Sequence, residues 1–98
     1  MKRREEVLEI LKASLPKLRE YGVREIGLFG STSREEQNEN SDIDILVDLK
    51  QHTFDSYMDV LFYLEERLGC NIDLVMKDSL KPAIRNAVMS ETDYVEAI

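Results

Sequence analysis

Apolar and polar positions alternate along the chain in two periods, and the switches between them divide it into helices and strands. Val7, Ile10, Leu11, Leu15 and Leu18 recur at helical spacing, with Arg, Glu and Lys between them. Pro16 interrupts that row and predicts that the helix stops or kinks just before it, since proline lacks the backbone N–H. After Tyr21-Gly22, the stretch from Val23 to Phe29 alternates as a first strand. Ser31 to Gln37 reads as a short helix capped by Ser31, and Gln37 to Ser41 as a loop. Asp42 to Leu49 is the second strand. Phe54, Met58, Leu61, Phe62, Tyr63 and Leu68 predict another helix, with Thr53 or Asp55 near its N-cap and Gly69 past its end. Asn71 to Met76 is a third strand. Asp78 or Ser79 is then expected to cap a last helix, with Pro82 in its first turn and Ala83, Ile84, Ala87 and Val88 turned inward. Tyr94-Val95 ends the pattern as a short extended piece. The order α-β-α-β-α-β-α, without repeats or a linker, predicts one α/β layer domain over residues 1–98.

Length and charge narrow what such a domain does. Ninety-eight residues, 43% of them hydrophobic, suffice for one core. A net charge of −7 argues against a broad nucleic-acid surface and suits a basic protein partner. The charged start, Met1-Lys2-Arg3-Arg4-Glu5-Glu6, has no apolar leader, and no apolar run approaches the roughly 20 residues of a membrane span. The lone Cys70 excludes an intrachain disulfide, fits a reducing cytoplasm, and is expected in the core as a small apolar residue.

The chemistry concentrates between the first two strands. Gly30-Ser31 is followed by ten residues and then Asp42-Ile43-Asp44. Side chains two apart on a strand share a face, so Asp42 and Asp44 point one way and Ile43 and Ile45 the other. Two carboxylates on one face repel unless a cation lies between them, and Mg²⁺ is held by one or two carboxylates plus substrate phosphates. Taken alone, Gly30-Ser31 reads as a turn with an N-cap serine. At this spacing it offers a phosphate-binding turn: glycine lets the backbone approach, and the hydroxyl and helix N-terminus face the anion. Asp73 repeats the pattern of a charge inside an apolar strand. If its strand neighbours the second, three carboxylates share one face, enough for two Mg²⁺ about 3.5–4 Å apart. Arg34 is either a planar fork for phosphate or a solvated cation, and Lys77 is a weaker candidate of the same kind. Asp48 lies roughly 13 Å along the strand from Asp44 and reads as structural. His52 has no partner at ligand spacing, so neither zinc nor a catalytic triad is supported.

The Gly30-Ser31-x10-Asp42-x-Asp44 motif, the preceding Ile26-Gly27-Leu28-Phe29 and the later Asn71-Ile72-Asp73-Leu74-Val75 resemble the minimal nucleotidyltransferases (MNT proteins) of the DNA polymerase beta superfamily. The resemblance runs from about Val7 to Tyr94. It implies a mixed, twisted sheet with helices mainly on one side. It also implies triphosphate binding by Gly30 and Ser31, metal binding by Asp42 and Asp44, and Asp73 as the third carboxylate, which binds metal and helps take the acceptor's proton. Stand-alone MNT proteins pair with a HEPN-domain RNase toxin and transfer AMP from ATP to one of its tyrosines, so the chain looks like such an antitoxin. One departure is local: the family often has Ala-Arg-Gly-Glu where this chain has Ser33-Arg34-Glu35-Glu36, keeping the arginine but replacing the glycine. Two other functions compete. One is a non-catalytic antitoxin that masks its partner and keeps a vestigial nucleotide site. The other, a nucleotidyltransferase acting on small molecules, normally needs a second domain for its acceptor.

Overall fold

The computed structural model describes residues 4–29, 43–51 and 53–95. Helix α1 (Arg4–Glu20) is followed by strands β1 (Val23–Leu28) and β2 (Ile43–Leu49), then helix α2 (Phe54–Leu68) and strand β3 (Ile72–Met76). A 3₁₀ turn (Lys77–Ser79), helix α3 (Pro82–Glu91) and the two-residue strand β4 (Asp93–Tyr94) complete the order. The expected helix over Ser31–Gln37, the loop after it and His52 lie outside the described residues.

The strands form one mixed sheet in the order β3-β2-β1-β4. β1 runs antiparallel to both β2 and β4, while β2 and β3 are parallel. Period two sorts β2 cleanly. Ile43, Ile45, Val47 and Leu49 join the core, whereas Asp44, Leu46 and Asp48 point to the second face. The core fills with Val7, Leu11, Leu15 and Leu18 of α1 and Val60, Leu64 and Leu68 of α2, so both helices cover the same face of the sheet. This is the arrangement the family resemblance implies.

Pro16 does not end α1, contrary to expectation. Pro16 is exposed, while Leu15 and Leu18 beside it are buried, so packing of the apolar stripe holds the helix through the missing hydrogen bond. Acidic Glu5 and Glu6 in the first turn and basic Lys17 and Arg19 in the last complement its dipole. For α2 the predicted punctuation is found: Thr53 caps it by accepting from the Ser56 N–H at 3.1 Å, and Gly69 ends it at φ 70°.

The carboxyl-terminal third departs further. Neither Asp78 nor Ser79 caps α3. The Ser79 hydroxyl instead donates to the Met76 carbonyl within the 3₁₀ turn, and α3 starts at Pro82 after an extended Lys81 with no side-chain cap. Ala83, Ile84 and Ala87 are exposed and Val88 half-buried, because α3 lies outside the α1/α2 layer whose core its apolar residues were expected to join. Cys70 is exposed as well, placed by the turn between Gly69 and β3 rather than in the core. The chain returns to the sheet closely enough that a Cβ on Gly27 would sit 2.6 Å from Thr92 Cγ2 and 2.8 Å from the Asp93 carbonyl oxygen. Arg4 ties that return to the start of α1, its guanidinium donating to Asp93 Oδ2 at 2.9 and 2.7 Å.

Candidate active site

Strand pairing decides where the acidic residues meet. In the parallel β2–β3 ladder Ile43 is the partner of Ile72, so Asp44 stands opposite Asp73. Neighbouring strands lie about 4.8 Å apart, which puts the two carboxylates side by side on the face away from α1 and α2. Asp44 is half-buried and Asp73 exposed. The end of β1 reaches the same place, since the Phe29 N–H donates to the Asp44 carbonyl at 3.1 Å. Phe29 directly precedes Gly30, so the candidate phosphate-binding motif follows the end of β1 in sequence. Gly30, Ser31, Arg34 and Asp42 themselves lie outside the described residues.

A second pair of opposed acids lies on this face. Glu25 of β1 stands opposite Asp48 of β2. Here protein cations neutralise the repulsion: Lys77 Nζ lies 3.0 Å from Glu25 Oε1, and Arg24 Nε lies 3.7 Å from Asp48 Oδ2. The hydrogen bond to Glu25 pushes the Lys77 ammonium above its usual range, and the charge of Asp48 adds to it. Lys77 is thereby paired with Glu25, and Asp48 with Arg24. No cationic side chain among the described residues pairs with Asp73.

The donor chemistry of the Asp44–Asp73 pair fits a hard divalent cation, which takes carboxylate oxygens and completes its shell with water and phosphate. Among the described residues no set of three or more acidic, histidine or cysteine side chains is gathered to hold a metal. The third expected ligand, Asp42, falls outside them. The described cavities lie elsewhere: one of about 290 Å³ at the opposite end of the sheet around Gly22 and Lys50, another of about 260 Å³ between α1 and Tyr94.

Two residues of α2 meet the strand that carries Asp73. Tyr57 donates its hydroxyl to the Leu74 carbonyl at 2.7 Å. Glu65, one face further along α2, accepts from the Ile72 N–H at 3.5 Å. Burial raises the Tyr57 phenol above its usual range, and the negative charges of Asp73 and Glu65 raise it further. Only the spatial position of the β3 edge reveals either contact. No helix among the described residues is long and apolar enough to cross a membrane.

Comparison with known proteins agrees with this geometry. Residues 4–95 match the nucleotidyltransferase domain family. The protein adenylyltransferase MntA of Thermococcus cleftensis is 48% identical over 93 residues, covering 93% of this chain and 94% of that protein. A solved structure that carries the name of a minimal nucleotidyltransferase superposes with a TM-score of 0.84 at 29% identity, over 94% of this chain and 95% of that one. A chain of a toxin–antitoxin crystal structure with AMP-PNP gives 0.70 at 26% identity, over 89% of this chain and 73% of that one.

Proposed function

The chain belongs to the nucleotidyltransferase domain family, and from that premise we propose that it is an antitoxin that transfers AMP from Mg-ATP to a tyrosine of a cognate HEPN RNase toxin and so neutralises it. The observation that carries this reading is the alignment of Asp44 with Asp73 on one face of adjacent parallel strands, beside the end of β1. The name of the Thermococcus relative and the AMP-PNP in the toxin–antitoxin structure support the adenylyl chemistry and the setting.

In this reading Asp42, Asp44 and Asp73 hold Mg²⁺, and Gly30, Ser31 and Arg34 receive the triphosphate. Bound Mg²⁺ would neutralise charge on the phosphates and on the departing pyrophosphate. The acceptor oxygen forms a bond to the α-phosphorus as the bond from that phosphorus to the bridging oxygen breaks, and pyrophosphate leaves. Asp73, exposed at the rim, takes the phenolic proton. Placing donor and acceptor on one rigid sheet face supplies orientation.

The competing reading is a binding antitoxin with a vestigial site. It is favoured by the exposure of Phe54 and Phe62 on α2, 75% and 60%, since large exposed apolar side chains mark partner surfaces. Incubation with ATP, Mg²⁺ and the HEPN protein separates the two. Transfer should raise the toxin's mass by one adenylyl group per event, and Asp44→Asn should stop it. Neutralisation by Asp44→Asn without any mass gain would establish masking instead.

A further inference from the structure

Among the described residues β3 is an edge strand, with β2 as its one strand neighbour. In a parallel strand, alternate residues turn both backbone groups toward the neighbour and the residues between turn theirs outward. At such an edge the outward groups have no ladder partner and the strand is prone to fray or pair elsewhere. In β3 the residues flanking Asp73, Ile72 and Leu74, turn outward, and one backbone group of each, the Ile72 N–H and the Leu74 carbonyl, is taken up by α2. Tyr57 donates to Leu74 at 2.7 Å, and Glu65 accepts from Ile72 at 3.5 Å. The two side chains are eight residues apart, about 12 Å along the helix axis. α2 is itself held by buried Val60, Leu64 and Leu68 and is capped at both ends.

We propose that Tyr57 and Glu65 are positioning residues, a clamp from α2 that grips β3 on either side of Asp73 and fixes its carboxylate against Asp44 for divalent-cation binding. The clamp rests on the metal–nucleotide reading of the pair but not on the identity of the acceptor. Tyr57 is the stronger arm, its bond being short and its ring packed against the core. Neither side chain touches the cation. Their effect passes through the β3 backbone, as that of groups that orient a ligand does elsewhere, where losing one typically costs about 10–100-fold in metal affinity.

The test is Mn²⁺ binding to the full chain, read by calorimetry and by the paramagnetic signal of free ion, with no nucleotide or toxin present. Tyr57→Phe keeps the ring and removes only the hydroxyl, and is expected to weaken Mn²⁺ binding about 10-fold. Glu65→Gln retains an acceptor for Ile72 and is expected to bind within about 2-fold of wild type, whereas Glu65→Ala should bind more weakly. Tyr63→Phe serves as the control, because that ring packs tilted against Tyr21 at 5.6 Å, away from the pair, and its binding should be unchanged. Folding of each variant is checked by urea unfolding. Tyr57→Phe that folds and binds Mn²⁺ as wild type overturns the clamp. So does a wild-type protein whose Mn²⁺ binding is insensitive to Asp73→Asn. Wild-type protein that binds Mn²⁺ through Asp73 yet transfers no AMP would overturn the functional reading while leaving the clamp standing.

Discussion

Asp44 and Asp73 stand opposite each other because Ile43 and Ile72 are paired one residue earlier in a parallel ladder. The register is set by burial: those two isoleucines, with Ile45 and Leu74 after them, lie in the core. A slip of one residue would turn the isoleucines to solvent and the carboxylates into the core. The hydrophobic side of the sheet thus aligns the charged side.

Replacing either carboxylate should separate activity from stability. Asp44→Asn and Asp73→Asn are each expected to lower AMP transfer by about three orders of magnitude, the equivalent of losing several kcal/mol of charge stabilisation. Asp73 is exposed, so Asp73→Asn should change unfolding free energy by no more than about 0.5 kcal/mol. Single-turnover rates and urea midpoints measured on the same preparations check both halves.

At Gly27 the expectation is the reverse. A methyl group there would meet Thr92 Cγ2 and the Asp93 backbone, pressing β4 away from β1. Gly27→Ala should destabilise the protein by about 1–3 kcal/mol. Chemical denaturation measures this, and an unchanged midpoint would show that β4 yields without cost.

Pro16 offers a substitution that should stabilise. Pro16→Ala restores an N–H within α1 at an exposed position. The gain expected is about 1–2 kcal/mol, since interior proline costs about 3 kcal/mol and part of that is offset by the stiffer unfolded chain. Thermal unfolding should show a higher midpoint for the alanine variant.

Alkaline pH should loosen the contact between Tyr57 and Leu74. The folded-state pKa of Tyr57 lies above its usual value of 10.0, mainly through burial, with Asp73 and Glu65 adding to it. Below pH 10.0 both folded and unfolded chains keep the proton, and the contribution to stability is complete. As pH rises past that value the unfolded chain loses its proton first, and the contribution is lost as pH climbs through the folded pKa. Tyr57→Phe should therefore show a shallower loss of stability above pH 10.0 than wild type, measured by urea unfolding across that range.

Much of this could be read along the chain. The Thr53 cap, the Gly69 stop and the alternation in β2 are local, and local steric and hydrogen-bonding rules place them. The same alternation put Asp44 on the face opposite Ile43 and Ile45. The failures were equally physical. Pro16 was read by its local penalty, but burial of Leu15 and Leu18 outweighs it. Ile84 was read as inward from its spacing in α3, but spacing says only that a face exists and not that anything covers it.

By itself, the sequence determined the alternation that makes the strands and the two-residue spacing of the carboxylates, together with the Gly30-Ser31 pair before them. These follow from periods of 2 and 3.6 and from short-range chemistry. The tertiary structure decided which strands are neighbours. Asp73 meets Asp44 only because β3 adds in parallel beside β2, 29 residues on. Lys77 pairs with Glu25, two strands away. Tyr57 and Glu65 matter only because α2 lies along the β3 edge. Such relationships depend on long-range burial closing the chain on itself, and no window along the sequence contains them.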